Sequence, residues 1–253
     1  MQIKTINTEK LETYVYETRA EMGAAAGKAA AEAIRKILEK KDFANVIFAA
    51  APSQNETLEA LLKEDVDFSR INAFHMDEYA GLSIDDAQSF ARYLNDHIFS
   101  KAPFASINFI PAKGDPDEAC EKYAALLREF KPDIVCMGIG ENGHIAFNDP
   151  PVADFNDPKM IKKVELDDIC RMQQVHDGCF PTFDDVPKYA LTLTVPTLMS
   201  AEYLICTVPA STKANAVKAM LEGEYGTSCP ATALRKHNGA KMFLDKDSAA
   251  KVL

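Results

Sequence analysis

Residues able to move a proton or hold an anion gather in four short segments of this chain. Phe74-His75-Met76-Asp77-Glu78-Tyr79 sets two carboxylates side by side just past an apolar run. A carboxyl held at the mouth of a dry cleft has its pKa raised and can serve as a base. The plainer reading is a turn with two exposed acids. Gly138-Ile139-Gly140-Glu141-Asn142-Gly143-His144-Ile145-Ala146-Phe147-Asn148-Asp149-Pro150 places three glycines within six residues, followed by a histidine. Glycine lets the backbone turn sharply or come close to a ligand. Either Glu141 or Asp149 could orient the His144 imidazole and raise its basicity. A lone histidine is more often structural, but one paired with a carboxylate is an acid/base pair.

The other two segments suit an anion. Residues 51–57 join a strand to a helix and are dense in donors: Ser53, Gln54, Asn55 and Thr57. The first N–H groups of a helix are unpaired and its dipole favours negative charge, so a phosphate fits there. Ser53 and Glu56 also have capping-box spacing, which is a purely structural reading, and both can hold. Ser211-Thr212-Lys213 repeats the pattern, with hydroxyls to cap a helix and a lysine in its first turn. A cation there opposes the dipole, so helix stability does not account for Lys213. Arg171 could join it, although by itself it reads as a solvated charge.

Something must hold these segments together. Short β-rich runs alternate with helical patterns along the chain. Strands are expected over residues 45–50, 70–75, 106–110, 133–137, 203–208 and 241–244, and helices over 9–40, 57–63, 89–98, 117–129 and 213–221. This alternation predicts an α/β fold: a single Rossmann-like domain over residues 1–253, its mostly parallel sheet covered by helices on both faces. Ligands in such sheets sit beyond the carboxyl ends of the strands. All four polar segments begin where an expected strand stops. Random polar loops would fall at both ends, so the convergence points to an enzyme. Residues 151–185 are long, acidic and weakly periodic, and read as a lid.

Composition narrows the rest. The 253 residues are 47% hydrophobic and 26% charged, which is ordinary globular composition. With 28 Lys+Arg against 38 Asp+Glu the net charge is −10, so the basic footprint of a nucleic-acid partner is missing. No apolar run reaches the length of a membrane span, and the first residues lack a signal core. Cys120, Cys136, Cys170, Cys179, Cys206 and Cys229 are scattered without metal-type spacing, as expected of a reduced, cytoplasmic protein. The five histidines are too dispersed in sequence to propose a metal site. A GxSxG elbow is lacking, and the three glycines do not fit a dinucleotide fingerprint.

Taken together, residues 75–82, residues 138–150 centred on Gly143-His144-Ile145-Ala146-Phe147-Asn148, and Val186-Pro187-Lys188-Tyr189-Ala190-Leu191-Thr192 resemble the glucosamine-6-phosphate deaminase/6-phosphogluconolactonase superfamily. The Met-Asp-Glu-Tyr and Gly-His-Ile-Ala-Phe-Asn forms favour its deaminase branch. The resemblance implies an enzyme that opens the ring of glucosamine 6-phosphate and moves a proton between C2 and C1. It releases ammonium and leaves fructose 6-phosphate. Asp77 then matches the proton-shuttling aspartate, Glu78 its neighbour and His144 the ring-opening histidine. Arg171 and Lys213 match the basic phosphate ligands, with residues 53–57 and Gly143 in the substrate-binding loops. The resemblance implies a small phosphosugar as ligand and no metal or organic cofactor. Relatives range from monomers to hexamers, so a homo-oligomer is open.

Three departures stand out. Asn142 occupies a position where the family commonly has Asp, and Asp149 one where Glu is usual. The charge orienting His144 therefore comes from Asp149 or from Glu141. The phosphate loop, usually glycine-rich, is Ala51-Pro52-Ser53-Gln54-Asn55. Galactosamine 6-phosphate deamination, a 6-phosphogluconolactonase-like reaction and sugar-phosphate binding without turnover are the alternatives.

Overall fold

The computed structural model describes residues 1–176 and 178–253. In chain order the elements are β1 (Gln2–Thr8), β2 (Leu11–Tyr16), α1 (Arg19–Leu38), β3 (Ala44–Phe48), α2 (Asn55–Leu61), β4 (Ile71–His75), β5 (Asp77–Tyr79), α3 (Phe90–His97), β6 (Ser106–Asn108), α4 (Pro116–Glu129), β7 (Ile134–Met137), β8 (Ile161–Glu165), α5 (Asp168–His176), β9 (Tyr189–Leu193), α6 (Val195–Met199), β10 (Tyr203–Val208), α7 (Ala214–Glu222) and β11 (Ala240–Asp245). Eight strands form the main sheet in the order β1-β2-β11-β10-β7-β3-β4-β6, parallel except that β1 runs against β2.

Successive side chains of a strand point to opposite faces, so the central strands feed two cores. Ile47, Phe74, Val135 and Cys206 pack on one face with Tyr123 and Leu127 of α4 and Val217 of α7. Val46, Ala73, Ile134, Cys136 and Ile205 pack on the other with Ile34 of α1, Leu58 of α2 and Leu94 of α3. Burial on both faces is why these strands read as unbroken apolar runs. The expected α/β class is therefore the one observed.

Strand order reverses between β3 and β7. From β3 the chain builds outward through β4 and β6, and β7 then returns to the opposite side of β3. Phe48 pairs with both His75 and Cys136, so the loops after β3, β4 and β7 leave the sheet at one level. A crevice opens at such a reversal. A single residue, Met76, separates β4 from β5, where the chain departs for a second antiparallel sheet ordered β5-β9-β8.

Helices α1 and α2 touch almost backbone to backbone. A Cβ on Gly23 would lie 2.2 Å from that of Glu56, and one on Gly27 2.5 Å from that of Ala60. These glycines are there for space, not for an unusual φ.

The structure departs from expectation at the start. The helix read over residues 9–40 is strand β2 followed by α1. Leu11, Thr13 and Val15 point inward while their neighbours do not, a period of two. Thr18 then caps α1, accepting from the Glu21 N–H at 3.2 Å. Residues 151–185, the segment read as a lid, contain β8, bound to β9 along its length, and α5. Among the described residues no helix is long and apolar enough to cross a membrane.

Candidate active site

Beyond the carboxyl ends of β3, β4, β7 and β10 lies a cleft. Its walls include Ser53 and Gln54 after β3, Asp77 after β4, Gly138, Gly140 and His144 after β7, and Thr212 and Lys213 after β10. All four polar segments singled out from sequence thus meet in one place. Phe90 and Phe147 add an apolar wall, their rings stacked at 5.6 Å.

His144 and Asp149 form a close pair. Nδ1 of the imidazole lies 2.9 Å from Asp149 Oδ1. Asn142 ties the pair together: its Nδ2 donates to Asp149 Oδ1 at 2.9 Å and its Oδ1 accepts from the His144 N–H at 3.0 Å. Burial pushes the Asp149 carboxyl up, but His144, Asn142 and the Cys170 thiol outweigh it and hold the group below its usual value. Glu141, the other candidate, points elsewhere. Its N–H donates to Gln173 and its carboxylate lies 3.7 Å from His176 Nδ1. Asp149 is thus the carboxylate that orients His144.

Glycine serves two purposes in this loop. A Cβ on Gly140 would fall 2.1 Å from His144 Cε1, so the ring occupies the space a side chain would need. Gly143 adopts φ +82 and sits beneath Cys229, whose Sγ would be 2.6 Å from a Cβ there. Ala146 also takes a positive φ, 50°. Non-glycine residues in that region are strained and concentrate at functional sites.

The two acids after β4 divide their work, and neither is an exposed turn residue. Asp77 lines the cleft, and burial, with the charge of Glu78 second, pushes its carboxyl well above the ordinary carboxylate range. Glu78 turns away from the cleft and accepts from the N–H groups of Tyr79, Phe90 and Ala91 at 2.9, 3.1 and 2.9 Å. It anchors the start of α3. Burial raises it to about 7 against those three hydrogen bonds, which lower it. Neighbouring Tyr79 donates to Gln174, one of two α5 glutamines on the cleft wall.

In the loop after β3 the expected capping box is absent. Residues 52–54 form a 3-10 turn, no side chain caps α2, and Glu56 pairs with Arg19 at 2.7 Å. Proline at the turn's first position sets this geometry. Gln54 Nε2 donates to Ser53 Oγ and to the Thr207 carbonyl, fastening the loop to β10. Thr57 donates to Thr207 Oγ1, and Asn55 accepts from the Tyr93 hydroxyl, so both brace the loop from behind. Neither Ser211 nor Thr212 caps a helix; residues 211–213 form another 3-10 turn leading into α7. Ala210 before it has φ 78 and ψ 149, a conformation normally left to glycine, and its N–H is held by both oxygens of Asp245.

Arg171 is the expected site residue that the fold carries away. Its Nη2 donates to the carbonyls of Phe183 and Val186, both at 2.9 Å, its guanidinium stacks on Phe183, and it does not line the cleft. Arg19, overlooked in the sequence, does line it. The signal that marked Lys213, a cation in the first turn of a helix, also holds for Arg19. A helix running from residue 9 would place Arg19 in its interior, which masks that signal in the sequence.

His144, Asp149 and Cys170, distant in sequence, bring potential metal ligands within 4.8 Å of one another. Their chemistry suits hydrogen bonding better. Burial and Asp149 push the Cys170 thiol well above its usual value, which keeps it an S–H donor, whereas a metal requires the thiolate.

Residues 17–243 match the family described as glucosamine-6-phosphate isomerases/6-phosphogluconolactonase. A glucosamine-6-phosphate deaminase of Ligilactobacillus salivarius is 33% identical over 223 residues, covering 87% of this chain and 93% of its own. One of Listeria innocua is 34% identical over 229 residues, covering 89% and 95%. A solved monomeric glucosamine-6-phosphate deaminase superposes with a TM-score of 0.86 at 29% identity, over 94% of this chain and 99% of that one. The 6-phosphogluconolactonase of Thermotoga maritima shares the fold at 22% identity, with a TM-score of 0.77 over 94% of this chain and 100% of its own. The chain is thus an enzyme, and it belongs to the glucosamine-6-phosphate isomerase/6-phosphogluconolactonase family.

Proposed function

We propose that this enzyme converts glucosamine 6-phosphate and water to fructose 6-phosphate and ammonium. The observation that carries the reading is the buried Asp77, its carboxyl made more basic by burial and by Glu78, in the same cleft as the His144–Asp149 pair. His144 takes the proton of the C1 hydroxyl and passes it to the ring oxygen as the C1–O5 bond breaks, with Asp149 stabilising the imidazolium. In the open aldehyde, Asp77 removes the proton from C2 while the C1 carbonyl oxygen takes one from the substrate's C2 ammonium group, which leaves an enol at C1 and a neutral amine at C2, an enolamine. Asp77 returns its proton to C1, which gives a C2 imine. Water adds at C2 and the nitrogen leaves as ammonium. Lys213 and the loop carrying Ser53 and Gln54 hold the phosphate, so the sugar's reacting end lies between Asp77 and His144. Each step needs only a carboxylate, an imidazole and the substrate's own carbonyl.

A lactonase on this fold would need His144 to activate water but no base beside C2, and Asp77 would be idle. The deciding experiment is ammonia release from glucosamine 6-phosphate and galactosamine 6-phosphate, with 6-phosphogluconolactone hydrolysis run in parallel. Ammonia and fructose 6-phosphate from the gluco sugar are the expected result. Release only from the galacto sugar would keep the residue roles and change the substrate. Hydrolysis of the lactone alone would overturn the deaminase reading. Thermal stabilisation by these sugars without any turnover would mark a binder.

A further inference from the structure

We propose that Arg19, and not Arg171, is the guanidinium that binds the substrate's phosphate together with Lys213; this deepens the phosphosugar reading above and rests on it. A phosphate dianion in a half-closed cleft needs permanent positive charge close by. Among the described residues lining this cleft, only Arg19 and Lys213 carry it. Arg171 is buried, with its Nη2 spent on two main-chain carbonyls and its face covered by Phe183.

Arg19 is held but not used up. Its Nε donates to Glu56 at 2.7 Å and its Nη2 to the Pro52 carbonyl, which fixes the guanidinium beside the turn that carries Ser53. Its Nη1 makes no hydrogen bond to a described residue, and 36% of the side chain stays open. A planar fork anchored along one edge and open along the other suits a phosphate oxygen pair. The residue also stands at the first position of α1, where its charge opposes the helix dipole, so helix stability does not explain it. The loop lacks the glycines that let backbone N–H groups surround an anion, and an arginine from the neighbouring helix supplies the missing donors.

The competing account makes Arg19 a brace that ties α1 to the loop through Glu56. The two accounts differ in what Glu56 does. As a brace, Glu56 is required; as a counter-charge, it competes with the phosphate. Inorganic phosphate binding to the full chain is measured by calorimetry for wild type, Arg19→Gln, Arg19→Lys, Glu56→Gln and Arg171→Lys, with thermal unfolding as the folding control. The expected result is a loss of about tenfold or more in Arg19→Gln and a smaller loss in Arg19→Lys. Glu56→Gln is expected to bind as tightly as wild type or tighter, and Arg171→Lys to bind as wild type does. Arg19→Gln binding like wild type, Glu56→Gln weakening as much as Arg19→Gln, loss confined to Arg171→Lys, or no phosphate binding by wild type would each overturn the proposal. Ammonia release is a separate readout. If wild type releases none but phosphate binding depends on Arg19, the deaminase reading fails and the assignment stands. If Arg19→Gln releases ammonia with the wild-type KM, the assignment fails and the reading stands.

Discussion

The side-chain amide of Asn142 stands between Asp149 and the peptide of His144, donating to the carboxylate at 2.9 Å and accepting from the N–H at 3.0 Å. An amide can do both at once without adding charge. Asn142→Asp would set a second carboxylate oxygen against Asp149 and raise the pair's affinity for a proton. Asp149 would then protonate closer to the range of Asp77, so the acid limb in this variant should steepen from a one-proton towards a two-proton loss. The plateau kcat should stay within about tenfold. Asn142→Ala removes both hydrogen bonds and should lower kcat at every pH. An acid limb of unchanged steepness and position in Asn142→Asp would show that the amide does not tune the Asp149 carboxylate.

Asp77→Asn keeps the size and burial of the side chain and removes the base. The kcat should fall by about 10² or more while phosphosugar binding persists. Wild-type turnover in heavy water should place deuterium at C1 of the product, and the variant should not catalyse that exchange. The acid limb of the wild-type profile should lie above the ordinary carboxylate range, since burial and Glu78 both raise Asp77. Removing the Glu78 charge should shift that limb to lower pH.

Gly140→Ala separates activity from folding. The position does not have a positive φ, so alanine suits its backbone. The added methyl nevertheless overlaps the His144 ring, at 2.1 to 2.3 Å from three of its atoms. The ring must swing out and lose its 2.9 Å contact with Asp149. Activity should drop at least about tenfold with little change in melting temperature, and unchanged kcat would mean that the ring position is immaterial.

Glu78 makes a prediction about stability. Its folded value of about 7 lies above the ordinary 4.5, so the folded state resists its ionisation. The resulting stabilisation is present below about pH 4.5 and is lost as pH rises through 7. Glu78→Gln cannot titrate. Wild type should therefore lose up to a few kcal/mol relative to this variant between those limits, measured by denaturant unfolding across pH. A constant difference would show that the carboxyl ionises in the fold as easily as in the unfolded chain.

What the sequence discloses depends on whether a local pattern suffices. Strands such as Ile134–Met137 and Tyr203–Val208 are buried on both faces, so their unbroken apolar runs identify them without tertiary information. The strands of the second sheet, including Asp77–Tyr79, are as short as three residues and gain their identity only by pairing with β9. Leu11–Tyr16 alternates as a strand should, but it directly precedes an alanine-rich helix whose spacing dominates any longer window. That single misplaced boundary also concealed Arg19. At the site, Asp77, His144 and Lys213 announced themselves by residue type and by their place after strands. Whether Glu141 or Asp149 served His144, and where Arg171 pointed, were questions of three-dimensional direction that spacing does not encode.

Gly23 and Gly27 lie on the body of α1, where they meet α2 rather than the cleft, yet they set the gap between two helices by having nothing in it. One helix begins at Arg19 and the other follows directly from the turn carrying Ser53. A methyl group at either glycine would act as a shim, prising Arg19 and the turn of Ser53 apart. The spacing of these two parts of the cleft wall is therefore set from a seam outside the cleft, and a survey of mutations confined to the wall would miss it.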